Sequence, residues 1–202
     1  MLKKLILVPL FLLTQLISQE NNSTFITNNI YAGFGWKTFQ LGQLNDAENT
    51  LVNGDGVLLT LGMYFPKQNL KLELSASVLG YLAYKEYDGT GFVIDYNSDI
   101  KESDYAISVA YGAGYRNDTF YAFPFLYLGA GAKTITYDSS TITLPMTQVG
   151  FGFSIRHEPV EFFCKFYYDI LLDTQNFTTA SGDTIEMQSF NGSLEVGLNY
   201  LF

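Results

Sequence analysis

The chain contains one histidine and one cysteine, which limits the chemistry that its side chains can perform. A nucleophilic side chain needs a base within hydrogen-bonding reach, and His157 is the only histidine that could serve as one. It lies in the sequence Arg156-His157-Glu158-Pro159, which is typical of a tight turn. Cys164 alone can form neither an internal disulfide nor a cysteine-based metal cluster. We therefore predict no catalytic residue, no cofactor and no metal site.

Ionised residues inside segments of alternating polarity form a second candidate site. These residues lie on the polar side of those segments, and positive and negative charges are nearly equal in number. They are Lys37, Glu73, Arg116, Lys133, Lys165, Asp169 and Glu195. Buried charges are tolerated in a packed interior when they are paired. From their positions along the predicted strands, we expect Lys37, Lys165 and Glu195 to form one cluster, with the carboxylate between the two ammonium groups.

The segments that carry these charges read as β-strands, because apolar and polar residues alternate with a period of two. Eight such segments are predicted, near residues 29–40, 56–65, 70–84, 104–116, 120–136, 145–156, 160–172 and 190–202. Three connections are tight turns, at residues 66–69, 117–118 and 157–159. The other four are longer and polar, at residues 41–55, 85–103, 137–144 and 173–189. Short turns on one side and long loops on the other are typical of a transmembrane barrel.

The two faces of the predicted strands differ in composition. The bulky apolar residues of each strand share one face, and the charges share the other with glycines and small polar residues. A soluble barrel would turn its apolar set inward and its charges outward. A lipocalin, which is the soluble alternative, is disfavoured because Phe34 precedes Gly35-Trp36 where its signature requires glycine. The pattern predicts an all-β fold, an eight-stranded antiparallel up-and-down transmembrane β-barrel, with Trp36 on the lipid side.

The two ends of the chain carry export and assembly signals. Residues 1–19 combine a basic start, Lys3-Lys4, with an apolar run that is too short to span a bilayer, which is typical of a cleaved signal peptide. Residues 20–202 are then the barrel domain. At the other end, Glu195, Gly197, Tyr200 and Phe202 fill the four defined places of a pattern similar to the assembly signal of bacterial outer-membrane barrels.

Over its predicted mature length the chain resembles the small eight-stranded outer-membrane barrels of the OmpA and OmpX type. The resemblance rests on the strand pattern and on the terminal motif. It implies location in a Gram-negative outer membrane, with outer-membrane lipid and lipopolysaccharide, the barrel assembly machinery and periplasmic chaperones as partners. Members of this group serve as structural anchors, adhesins, narrow channels or lipid-modifying enzymes, so the fold alone does not select a function.

Charge narrows the choice of partner. The formal net charge is -9, which disfavours nucleic acid as a partner. The long-loop end is expected to hold 13 of the 20 acidic residues, namely Asp46, Glu48, Asp55, Glu86, Asp88, Asp95, Asp99, Glu102, Asp104, Asp138, Asp173, Asp183 and Glu186. An unidentified ligand could bind there, although solvation of the loops explains the same pattern. We predict a non-enzymatic barrel with a structural or adhesin-like role. The alternative is a narrow channel for small solutes or ions. A wide pore is disfavoured, because eight strands leave an interior that side chains fill.

Overall fold

The computed structural model describes residues 30–44, 51–65, 68–87, 92–95, 100–116, 120–137, 140–173, 175–178, 184–187 and 189–202. The predicted signal peptide, residues 1–19, lies outside this set. Within the described residues, no helix has the length and apolar character needed to cross a membrane.

Eight long strands form the body of the fold. They are β1 (Ile30–Leu44), β2 (Leu51–Phe65), β3 (Leu70–Tyr87), β4 (Ile100–Gly112), β5 (Tyr121–Tyr137), β6 (Ser140–His157), β7 (Val160–Leu171) and β8 (Phe190–Leu201). Four short strands extend them: Phe92–Asp95 pairs with β3, Tyr115–Arg116 with β5, Thr184–Met187 with β1, and Phe177–Thr178 with Thr184–Met187. All pairings are antiparallel.

The sheet closes on itself because β1 pairs with both β2 and β8. The prediction of an eight-stranded antiparallel up-and-down barrel is thus confirmed. We call the end with the connections near residues 66–69, 113–120 and 158–159 the turn end, and the opposite end the loop end. Glycine is required where strands approach closely. At Gly131, for example, a Cβ would lie 2.0 Å from the carbonyl oxygen of Tyr105.

Several strands reach farther toward the loop end than the sequence suggested. The predicted loop at residues 137–144 is wrong, since β5 and β6 remain paired as far as Tyr137 and Ser140. The loops predicted at residues 41–55 and 85–103 are shorter for the same reason, with β1 and β2 paired as far as Gln43 and Leu51. Threonine and isoleucine alternate in the extended part of β5 and β6. Both residue types favour strands even where one face is polar, and polarity alone therefore misplaced the boundary.

Around the middle of the barrel the outer face is apolar on all eight strands, and we call this band the apolar belt. Leu126 on β5, Val78 on β3 and Phe34 on β1 are 70%, 68% and 62% exposed. The five remaining long strands also carry exposed aliphatic or aromatic side chains. Soluble monomers rarely expose contiguous apolar patches of more than a few hundred Å². The belt is instead matched to lipid hydrocarbon, with every strand paired on both sides so that the barrel has no open edge there.

Candidate functional site

The interior of the barrel holds a network of buried charges, which is the candidate site. Strand alternation turns them inward while their neighbours in sequence face lipid. Four lysines and six carboxylates in the described residues are buried: Lys37, Lys71, Lys133, Lys165, Glu73, Glu102, Asp104, Glu161, Asp169 and Glu195. They divide into a lower cluster, near the turn end, and an upper cluster, near the loop end.

The lower cluster consists of Lys71, Glu73, Glu161, Lys165 and Glu195. Lys71 pairs with Glu161 at 2.6 Å and with Glu73 at 3.8 Å. Lys165 pairs with Glu195 at 2.7 Å and also with Glu73. Each carboxylate therefore faces at least one ammonium group, which offsets the cost of removing it from water.

Neutral side chains complete the hydrogen bonds of the lower cluster. The Tyr31 hydroxyl donates to Glu73 at 2.8 Å, the Asn199 amide to Glu161 at 2.8 Å, and the Tyr167 hydroxyl to Glu195. The lower cluster borders a small cavity of about 10 Å³. The cavity is lined by Lys71, Glu73, Ser108, Ala110, Phe125, Tyr127 and Lys165. That volume holds about one water.

The upper cluster consists of Lys37, Glu102, Asp104, Lys133 and Asp169. Lys133 pairs with Glu102 at 2.9 Å and with Asp169 at 3.2 Å. Lys37 pairs with Asp104 and lies 3.7 Å from Asp169. Asp169 also accepts hydrogen bonds from Gln148 at 2.8 Å and Ser193 at 2.9 Å, and Asp104 accepts one from Ser77 at 2.6 Å.

Apolar layers cover the network at both ends. Toward the loop end, the buried side chains are Leu79, Ile135, Leu144, Met146, Leu171 and Met187. Toward the turn end, aromatic rings pack together. The Tyr64 ring contacts those of Tyr121 and Phe123 with centroids 5.6 and 5.2 Å apart, and Phe123 contacts Phe125 at 5.5 Å. The interior is therefore filled with side chains, with ion pairs in its middle and apolar groups at its ends.

The architecture is shared with known proteins. The structure is similar to that of neisserial surface protein A, with a TM-score of 0.52 and 12% sequence identity, over 86% of this chain and 97% of that one. The chain has the fold of the small outer-membrane β-barrels. Matches with lower scores are Ail, the attachment invasion locus protein of Yersinia pestis (TM-score 0.46, 15% identity, 88% and 100% of the two chains), and the N-terminal barrel domain of Pseudomonas aeruginosa OprF (0.44, 14%, 85% and 98%). No protein-family model and no curated protein matches the chain.

Two of the three residues of the predicted Lys37, Lys165 and Glu195 cluster form a direct ion pair with each other. Lys165 and Glu195 form a salt bridge at 2.7 Å in the lower cluster. Lys37 lies opposite Glu195 in the β1–β8 register, and its ammonium group pairs with Asp104 and Asp169 in the upper cluster. That Glu195 is held between the two lysines stays a prediction.

Sequence reasoning misplaced two carboxylates of this outer-membrane-type barrel. Glu102 and Asp104, expected on the loop surface, are 1% and 4% exposed and point into the interior. They continue the inward alternation of Ala106, Ser108 and Ala110 on β4, so extending that period toward the loop end would have found them. Of the other expected inward charges, Glu73, Lys133 and Asp169 are buried as expected, and the side chain of Arg116 lies outside the described set.

The residues of the predicted assembly signal lie along β8. Glu195 is buried, whereas Tyr200 and Phe202 are exposed at the turn end, and Gly197 lies opposite Gly35 of β1. The Phe202 backbone N–H donates to the Ile30 carbonyl at 2.9 Å, which fixes the residue at the closing seam. Their role in assembly stays a prediction.

His157 is exposed at the turn end, and the described residues contain no group of three or more potential metal ligands.

Proposed function

We propose that the protein is a non-enzymatic integral barrel of the outer membrane with a structural or surface-interaction, adhesin-like role. The observation that supports the proposal is the filled interior, in which the ion-paired clusters are covered by apolar layers at both ends. A filled barrel is suited to anchoring the segments at its loop end, and poorly suited to passing solutes. Catalysis at the barrel surface has no support from His157, which is the last residue of β6 and lies at the turn end.

The second candidate is a narrow channel. It is favoured by one observation, namely that the charged side chains follow one another through the middle of the barrel, from Glu161 in the lower cluster to Glu102 in the upper cluster. A rearrangement of these pairs would be needed before an ion could pass, since each charge already has a partner of opposite sign.

Single-channel recording in planar bilayers decides between the two candidates. The purified full chain should give no steady conductance steps. Lys133→Met provides the control, because Lys133 lies in the upper cluster and is fully buried. If the native chain gives conductance steps and Lys133→Met changes their ion selectivity, the ions pass through the interior. That result would overturn the non-conducting proposal. Steps that are identical in both proteins would come from a contaminating porin.

The surface-interaction role is tested on bacteria that express the protein. Replacing residues 172–189, between β7 and β8, by a short turn should reduce attachment to protein-coated polystyrene while the folded barrel is retained. Replacing residues 117–119, which follow Tyr115–Arg116 and precede β5 in the sequence, is the matched control and should leave attachment unchanged. Equal attachment by all three strains and by a strain lacking the protein would contradict a surface-interaction role and leave the structural one.

A further inference from the structure

The loop-end part of β4, β5 and β6 carries a second polar surface, on the outside of the barrel. Side chains facing outward there form two rows, which the register aligns: Lys101 with Thr136 and Thr141, and Ser103 with Thr134 and Thr143. We call these six residues the hydroxyl face. Its threonines are paired across the strands, with 3.0 Å between the hydroxyls of Thr134 and Thr143 and 3.2 Å between those of Thr136 and Thr141.

The hydroxyl face begins where the apolar belt ends. Toward the turn end, the next outward-facing rows in the register are Tyr105 with Ala132 and Pro145, and then Ile107 with Ala130 and Thr147. Tyr105 and Ile107 are 60% and 44% exposed, and one row farther on Leu128 of β5 and Val149 of β6 are 58% and 44% exposed. The change from aromatic and aliphatic groups to hydroxyls marks the boundary of the hydrocarbon layer. This change places the hydroxyl face at the height of the lipid headgroups on the loop-end side.

Lys101 gives this surface its charge. Among the lysines whose side chains the structure describes, it is the one that is exposed, and the other four belong to the interior clusters. Its register partners, Gly80 and Thr136, are uncharged. At Gly80 an added Cβ would meet nothing within 4 Å, so the space beside Lys101 on the outer surface is open. Asp55, on the far side of Gly80, is the nearest outward-facing carboxylate in the register.

We infer that the hydroxyl face binds the phosphorylated sugar headgroup of an outer-leaflet glycolipid, with the Lys101 ammonium group on the phosphate and the serine and threonine hydroxyls on the sugar. This rests on the proposed outer-membrane location. A phosphate requires a cation and neutral donors, which this surface offers. A headgroup can reach it because its acyl chains cover the apolar belt directly below, whereas a soluble ligand has no such anchor.

Native mass spectrometry of the full chain in detergent micelles tests the inference, with hexa-acylated lipid A as the probe. Lipid A with two phosphates should bind more tightly than its dephosphorylated form. Lys101→Met should weaken binding of the phosphorylated form about fivefold, the effect of ~1 kcal/mol for one basic residue at an anionic membrane surface. Lys101→Arg should bind as the native chain does. Asp55→Asn, the matched control in the next outward position, should bind equally or more tightly.

The outcomes are distinct. Preference for phosphate that persists in Lys101→Met would overturn the inference. Inorganic phosphate that competes with lipid A at equal concentration would also overturn it, since the ligand would then be the free anion. Asp55→Asn removes a negative charge near Lys101 and should not weaken the binding of an anionic ligand. Weaker binding by this variant would therefore contradict the site as described. Heat-modifiable migration on gels verifies that each variant is folded. Ion conduction by a chain that binds lipid A as expected would overturn the proposed function alone.

Discussion

At the scale of single residues, Asp169 illustrates how the barrel accommodates buried charge. Its carboxylate contacts two ammonium groups, those of Lys133 at 3.2 Å and Lys37 at 3.7 Å, and accepts hydrogen bonds from Gln148 and Ser193. The side chain is fully buried, so water cannot replace any of these partners. Removing the carboxylate would leave two like charges close together, which is costly in a low-dielectric interior.

Asp169→Asn should therefore lower the free energy of unfolding by about 3–5 kcal/mol, the usual cost of breaking a buried ion pair. Asp173→Asn is a matched control, since Asp173 is exposed four positions along the chain, and it should lower the free energy of unfolding by about 1 kcal/mol at most, the range of an exposed ionic contact. Urea titration in lipid vesicles, followed by heat-modifiable migration, measures both. Equal midpoints for the two variants would show that the upper cluster does not stabilise the barrel.

At the scale of elements, each strand sorts its side chains between lipid and interior. β1 shows this clearly, because Lys37 is fully buried while its neighbour Trp36 is 46% exposed. The alternation follows from the pleat, which points successive side chains to opposite faces. A shift of one residue in the register would place Lys37 in the lipid and Trp36 among the interior ion pairs. Facing is thus fixed by the charges as firmly as by the apolar residues.

Trp36 is the only tryptophan, so its fluorescence reports the facing of β1 directly. We expect blue-shifted emission that brominated lipids quench, since the ring contacts acyl chains. Aqueous iodide should have little effect. Strong quenching by iodide together with none by brominated lipid would mean that β1 has the opposite facing.

A second prediction at this scale concerns the end of β8. Phe202→Glu should block assembly of the barrel and leave export intact, because the aromatic residue fills the last place of the predicted assembly signal. Phe190→Glu is the control, since Phe190 is similarly exposed at the opposite end of the same strand, at 62% against 60%. The fraction of heat-modifiable protein in outer-membrane preparations measures assembly. A normal fraction for Phe202→Glu would remove the signal from consideration.

At the scale of the whole molecule, closure between β1 and β8 makes the chain a barrel. The seam runs from Tyr31 opposite Leu201 to Phe39 opposite Ser193. An ion pair also crosses the seam, because Lys37 on β1 lies 3.7 Å from Asp169 on β7. The ends of the described barrel are therefore held together by backbone hydrogen bonds and by the ion-paired network.

Engineered cysteines test the register of this seam, in a Cys164→Ser background. Thr38→Cys with Leu194→Cys should form a disulfide on mild oxidation, because opposite residues of antiparallel strands have Cα atoms about 4.5–5.5 Å apart. Thr38→Cys with Leu198→Cys should not, since the second position lies four residues, or about 13 Å, farther along β8. Gel mobility before and after reduction reports the cross-link. A disulfide in the second pair instead would mean a shifted seam.

The sequence by itself determined the strand count, the closed fold and the facing of most side chains. These follow from local alternation, and residues such as Trp36, Lys37 and Glu73 lie where that period places them. It also predicted that inward charges would be paired, since unpaired charges are too costly to bury. Strand ends were less certain, because the polar outward face of β5 and β6 near Thr136 and Thr141 resembles a loop when polarity alone is considered.

The tertiary structure decided which charges meet. Partners in the clusters come from distant strands, as when Lys71 on β3 pairs with Glu161 on β7, or Lys37 on β1 with Asp104 on β4. Such contacts cross the interior, and they depend on barrel curvature, strand tilt and the stagger of the register, none of which local alternation specifies. The hydroxyl face was hidden for the same reason, since Lys101 and Thr136 become neighbours only through the pairing of β4 with β5.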